Sequence, residues 1–297
     1  MIEYYLIYIV ALIFMQINSI LFMKKFQLSA GTSLSSNTLY MLINGIVSAV
    51  VPLIMVLFQG KTPELTSYSF IMAFMIVVLA AIDTFLRLKA YEKGQIATVN
   101  IVSTLGSIIL SCFWGVFVLK ESISILDIIA IIVMILAILI ISHTGGEKIN
   151  KKLIWIYVII SFANSFVSIL SKQHQVESNF ATVDTLSFSI WIGAIRAVIF
   201  SFIAIFIIMK KGRKAMTFSK ASVGFASISS VVTGIGYIIT LFTGVILPIV
   251  ITFPLSIGFS IIMSALLPLI LYRERLTKRQ WIGVTLSLIG TLLFLIF

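Results

Sequence analysis

The sequence predicts an all-α polytopic membrane protein, with ten transmembrane helices arranged as two inverted five-helix repeats. Three observations carry that prediction. Hydrophobic residues make up 60% of the 297 residues and charged residues 10%, with a mean hydropathy of +1.18, whereas soluble domains carry roughly 25% charged residues. Apolar runs near the length of about 20 residues that a helix needs to cross hydrocarbon recur ten times along the chain. Finally, Ser107-Ile108-Ile109-Leu110-Ser111 and Ser260-Ile261-Ile262-Met263-Ser264 repeat each other, and each is followed by a glutamate beside a basic residue. In that register Lys120-Glu121 falls on Arg273-Glu274, Ser124 on Thr277, Ala130 on Gly283 and Ala137 on Gly290.

The first five spans are read at Tyr4 to Met23, Leu34 to Phe58, Tyr68 to Leu88, Ile96 to Leu119 and Ile125 to Ser142. The second five are Leu153 to Ser171, Thr185 to Met209, Phe218 to Leu241, Val245 to Leu271 and Trp281 to Phe297. The first run has Glu3 and no basic residue ahead of it, nor a small-residue cleavage site, so it reads as a retained span rather than a secretory signal. Between the fifth and sixth spans, His143 to Lys152 contains Gly145-Gly146 and lysines, and reads as the linker between halves 1–145 and 146–297. The first spans of the halves also correspond: Ser19-Ile20-Leu21 recurs as Ser168-Ile169-Leu170, with Lys24 and Lys172 shortly after.

Five is odd, so tandem halves insert with opposite orientations, and charge tests this. The first, third, fifth, seventh and ninth connections hold Lys24, Lys25; Arg87, Lys89, Lys93; Lys148, Lys151, Lys152; Lys210, Lys211, Arg213, Lys214, Lys220; and Arg273, Arg275, Lys278, Arg279. The other connections hold Lys61, Lys120 and Lys172. By the positive-inside rule the odd connections are cytoplasmic and both termini lie outside. This segmental placement also explains the net charge of +11 as membrane orientation, so no nucleic-acid partner is expected.

Ten spans in two inverted sets, with an aliphatic fourth helix running through a basic-Glu turn into a small-residue fifth, resemble the EamA type of the drug/metabolite transporter superfamily. The segments that carry the likeness are Leu119-Lys120-Glu121-Ser122-Ile123, Tyr272-Arg273-Glu274-Arg275-Leu276, Trp281-Ile282-Gly283 and Leu288-Ile289-Gly290, and it covers essentially the whole chain. The resemblance implies a ten-helix basket with a central cavity, which exports or exchanges small polar or amphiphilic metabolites without ATP hydrolysis. It also implies cytoplasmic termini, opposite to the charge reading. The expected setting is the inner or plasma membrane, with the lipid bilayer, a small-molecule substrate and a second copy of the chain as candidate partners. The alternatives are a flippase for a lipid or lipid-linked phosphate and, from a different class, a non-transporting scaffold or sensor.

Arg196 is the most informative residue. It stands near the middle of the seventh span, where an arginine costs about 2.5 to 3.5 kcal/mol on insertion scales. A cavity-facing guanidinium that receives a carboxylate or phosphate is one reading; a structural arginine bonded to helix carbonyls, or snorkelling along Trp191, is the other. Asn18, Asn100 and Asn164 place amides in the first, fourth and sixth spans, where they serve either substrate selection or interhelical hydrogen bonding. Tyr237, beside Gly234 and Gly236, joins the substrate-binding candidates.

Asp83 and Arg87 stand four apart on one helix face and read as a local ion pair or a gate. Pro248, Pro254 and Pro268 fall in the ninth span, and Pro254 is the candidate hinge. His143 and His174 read as interfacial residues at helix ends, and lone Cys112 supports neither disulfide nor thiolate cluster. No metal or other cofactor is expected. Without a Gly-rich phosphate loop, a His-Glu-x-x-His or a Gly-x-Ser-x-Gly motif, an enzyme is not expected either.

Overall fold

The computed structural model describes residues 2–31, 33–91, 96–142, 154–272 and 277–295; the side chains at 87–91 and 96–103, with a few others inside helices, lie outside the description. Those residues form helices in every apolar run and no strand. Helix α1 runs from Ile2–Asn18 through a π-helical turn, Ser19–Met23, into Lys24–Ala30. Then come α2 (Leu34–Phe58), α3 (Ser67–Tyr91), α4 (Ile96–Phe117) and α5 (Ile125–Ser142). The second half supplies α6 (Ile154–Val176), α7 (Thr185–Lys211), α8 (Lys220–Gly244), α9 (Ile249–Tyr272) and α10 (Lys278–Leu295). Among the described residues, six stretches are by length and composition long and apolar enough to cross a membrane: Glu3–Ala30, Leu34–Phe58, Ser67–Leu86, Trp155–Val176, Thr185–Lys211 and Lys220–Gly244.

Helix starts follow from capping side chains. Asp184 accepts from the backbone N–H groups of Leu186 (2.8 Å) and Ser187 (3.2 Å) at the start of α7, which satisfies donors that have no partner within the helix. The starts of α5 and α10 carry reciprocal boxes. Ser124 accepts from Asp127 N–H (3.1 Å) while Asp127 accepts from Ser124 N–H (2.8 Å), and Thr277 and Gln280 exchange the same pair of bonds. Ser124 and Thr277, matched by the repeat register, thus have the same structural task.

The expected end of the first span at Met23 is corrected: the helix continues to Ala30 and stops at Gly31, whose φ of 76° suits glycine. The extension is held by packing. Phe26 is buried against Tyr40 and Ala226, with a ring-centroid distance of 5.4 Å to Tyr40, and Lys25 Nζ lies 5.7 Å from the centre of the Phe225 ring. Pro248 is also corrected: it precedes α9 rather than lying inside it, because proline fits where its missing N–H is no loss.

Two compact units are present, and each draws on both sequence halves. The first contains Met1–Ile13, Val78–Gln173 and Thr243–Phe297; the second contains Phe14–Val77 and His174–Phe242. In the first, α4 packs on α9 and α5 on α10. Its core gathers Tyr8, Leu12, Ala130, Met134, Leu247, Leu255 and Phe294, and Tyr8 Oη donates to the Thr252 carbonyl at 3.0 Å.

In the second unit α2 and α7 pack closely along their length. A Cβ placed on Gly45 would stand 2.5 Å from Ala197 N, and one on Gly193 would stand 2.6 Å from Ser48 C and 2.9 Å from Ala49 Cα. The contact is reciprocal: Gly45 faces Ala197 while Gly193 faces Ala49. Small residues four apart let helix backbones approach where no water-driven force holds them together. Small hydroxyls fill helix interfaces, with Ser36, Ser187, Ser229 and Ser230 all fully buried, while Phe202 and Phe206 of α7 are exposed. Polar groups inside and large apolar groups outside is the distribution that a lipid solvent rewards.

Candidate functional site: a polar cavity around Arg196

Three helices of the second unit present polar residues at helical spacing. Asn44 and Ser48 of α2 are four apart, Ser189 and Arg196 of α7 are seven apart around Ile192, and Thr233 and Tyr237 of α8 are four apart, so each set shares a face. With Met15 and Gly234 these residues line a cavity of about 110 Å³. No carboxylate is among the lining residues. Arg196 is the twelfth residue of the 27 in α7, and Asn44 the eleventh of the 25 in α2, so the cavity lies far from the ends of both helices.

One guanidinium nitrogen, Nη1, donates to Asn44 Oδ1. The remaining N–H donors of Arg196, the Asn44 amide nitrogen and the Ser48 hydroxyl make no hydrogen bond to the protein among the described residues. Ser189 is 3% exposed and its hydroxyl has no partner either. A buried hydroxyl without a partner costs about 1–3 kcal/mol, and a cation in a low-dielectric wall with one neutral acceptor costs more. The cavity therefore offers donors and positive charge with no fixed negative charge to answer them. Arg196 points into this cavity rather than along Trp191, whose Nε1 donates to the Glu64 carbonyl at 2.8 Å.

Of the residues singled out from sequence, Arg196 and Tyr237 meet in this cavity. Asn18 sits behind it: its Nδ2 donates to Thr233 Oγ1 (2.9 Å) and to the Ser229 carbonyl (3.1 Å), and its Oδ1 is buried without a partner. Asn164 belongs to the other unit, where its Nδ2 donates to Ser107 Oγ at 2.8 Å. Asp83 is partly buried and takes part in contacts of its own. The side chains of Arg87 and Asn100 lie outside the described residues, as do His143, the linker and Arg273-Glu274. Pro254 is buried within α9.

His174 departs from the interfacial reading. It is 1% exposed, stacks on Phe188 with ring centres 3.6 Å apart, and its Nε2 lies 2.8 Å from Ser69 Oγ. Ser69 Oγ also accepts from Val183 N–H at 3.1 Å. The aromatic stack and the hydroxyl satisfy both sides of the ring, so the helix end is packed rather than wet. No group of three or more metal-ligating side chains is present among the described residues.

A polar cluster in the first unit also went unread in the sequence. Glu121 follows Lys120, which adopts φ 57°, a left-handed turn uncommon for a side-chain-bearing residue. The turn aims both carboxylate oxygens at the start of α9, where they accept from the N–H groups of Ile249 (2.9 Å) and Val250 (3.0 Å). Lys172 Nζ lies 3.8 Å from Glu121 and donates to the carbonyls of Gly244 (2.6 Å) and Leu247 (2.7 Å). Anion at the N-terminus of one helix and cation at the C-terminus of the previous one is the favourable sense of both helix dipoles. Gly115 keeps the space open: a Cβ there would stand 2.8 Å from Glu121 Oε2.

No family model matches the chain, and no curated protein matches it. Its fold is similar to that of a crystal structure of a protein with which it shares 13% sequence identity, at a TM-score of 0.72, over 98% of this chain and 96% of that one. At that identity the likeness concerns the fold alone.

Proposed function

We propose that the chain is a secondary transporter of the cell membrane, similar to the EamA type of the drug/metabolite transporter superfamily, that moves a small polar metabolite by alternating access. The observation that carries this reading is the cavity itself: Arg196, midway along an apolar helix, lines a space whose other walls offer hydroxyls and an amide and no carboxylate. A mid-depth charge facing a cavity marks a substrate or ion path by default. Support for ten spans in two inverted halves comes from pairing. The helices that pack on each other, α2 with α7, α4 with α9 and α5 with α10, hold equivalent places in the two sets of five, which fits two repeats that meet at a shared interface.

The test is transport by purified protein in proteoliposomes, with a panel of labelled small metabolites, for the parent and Arg196→Gln at equal reconstitution. The parent is expected to move at least one solute, and Arg196→Gln to lower that rate about ten- to a hundredfold with insertion intact. No movement of any solute, or equal rates for parent and variant, would sink this reading.

A further inference from the structure

We infer that the Arg196 cavity binds a short-chain organic carboxylate that carries no cationic centre. This deepens the transporter reading and rests on the same site. Charge excludes half of small-molecule space at once. A cation or an ammonium group would enter beside an arginine with no carboxylate among the lining residues to receive it, so both desolvation and repulsion oppose it. An anion meets the opposite situation.

The donors are arranged for two oxygens. The planar guanidinium has five N–H donors, of which one is directed to Asn44 Oδ1. The rest remain for a planar carboxylate, which a guanidinium grips in bidentate fashion. By accepting from Nη1, the Asn44 oxygen holds one arm of the fork and leaves its own amide N–H₂ as a further donor. The unpartnered hydroxyl of Ser189, 3% exposed in the same wall, lacks only an acceptor. A bound carboxylate would supply that acceptor.

Size narrows the class. The space of about 110 Å³ is well below the roughly 300–1,000 Å³ of pockets that take drug-sized ligands. That suits a two- to four-carbon acid rather than a sugar or a lipid headgroup. Met15 and Ile192 in the lining give a short aliphatic chain its contact surface.

Calorimetric titration of the full-length purified protein in detergent tests this with propanoate, 2-hydroxypropanoate, alanine, propylammonium and inorganic phosphate as probes. Propanoate or 2-hydroxypropanoate is expected to bind, with alanine about tenfold weaker or more and propylammonium silent. Arg196→Gln should weaken carboxylate binding about ten- to a hundredfold, and Arg196→Lys should recover only part of it. Ser189→Ala should weaken it a few-fold while leaving the charge in place and the melting temperature no lower than the parent's, since it removes a buried hydroxyl without a partner, which keeps the inference testable if an arginine variant misfolds. Carboxylate binding unchanged in Arg196→Gln, alanine or propylammonium binding as tightly as propanoate, tighter binding of phosphate, or no carboxylate binding at all would each overturn it. Proteoliposome uptake separates the two claims. Carboxylate binding without movement overturns transport and leaves the site standing, whereas uptake of other solutes without carboxylate binding overturns the carboxylate and leaves transport standing.

Discussion

Removing the Glu121 carboxylate takes the acceptor from the N–H groups of Ile249 and Val250 and leaves the Lys172 ammonium with two backbone carbonyls but no counter-charge. The Lys172 and Glu121 side chains are 9% and 12% exposed, so solvent cannot take over fully. Breaking a buried pair from one side costs about 3–5 kcal/mol, whereas replacing both members can be nearly neutral. Glu121→Ala is therefore expected to lower the melting temperature in detergent clearly, Lys172→Met somewhat less, and the double variant by much less than the two losses added together. Strict additivity in that cycle would show that the two side chains do not act as one clamp. The sequence made Glu121 visible only as part of a repeated basic-Glu turn, because its role depends on an N-terminus 128 positions away. Arg196 was legible for the opposite reason: its cost is local, set by its place in an apolar run. Ser189 could have been found from its spacing on the Arg196 face, but Asn44 and Ser48 required knowing that α2 lies beside α7.

At the scale of elements, that α2–α7 contact has a signature that intrinsic helix propensity does not predict. Gly45 and Gly193 stand as far apart in the chain as Ala49 and Ala197, which is also the spacing of Lys24 and Lys172, so both halves bring the same small-residue stripe to one interface. Gly45→Val or Gly193→Val must push two backbones apart, since a first carbon already falls within 3 Å of backbone atoms. Each is expected to destabilise the protein by several kcal/mol, on the scale of overpacking faults at about 1–3 kcal/mol and more where only backbone can move. Gly224→Ala in α8, where an added carbon meets nothing within 4 Å, should be neutral or stabilise by up to about 1 kcal/mol. Melting curves in detergent compare the three; a Gly193→Val protein as stable as the parent would contradict the close approach. Helix boundaries were legible at Leu34–Phe58 and Ile125–Ser142, whereas α8 and α10 begin at Lys220 and Lys278, next to the capping residues Ser219 and Thr277, where Phe218 and Trp281 were expected. They were misjudged at Met23 and Pro248, where a tertiary partner, Tyr40 for Phe26 and Glu121 for the first N–H groups of α9, decided the end.

For the whole molecule, an apolar, all-helical chain was legible from composition and run length alone, because lipid permits few other solutions. The grouping into compact units was not, since each unit takes segments from both sequence halves, and nothing in hydropathy says which helices pair. Orientation is the remaining property of that scale, and here the structure sharpens the charge argument. Of the basic residues that weigh against the majority, Lys172 is engaged with two backbone carbonyls and Glu121, so it is fixed by packing rather than held in a loop. The majority loses less: Lys25 lies over Phe225, but Lys210, Lys211, Arg213 and Lys214 form a block around Gly212, which is exposed and ends α7. Positive charge in short loops sets orientation, so the odd connections are expected in the cytoplasm and both termini outside it. A phosphatase fused after Phe297 should be active and a fluorescent protein fused there dark. Replacing the basic residues from Lys210 to Lys220 with glutamine should weaken the bias enough for both reporters to give signal. Strong cytoplasmic fluorescence from the parent fusion would overturn the charge argument, and would favour the cytoplasmic termini that the EamA resemblance implies.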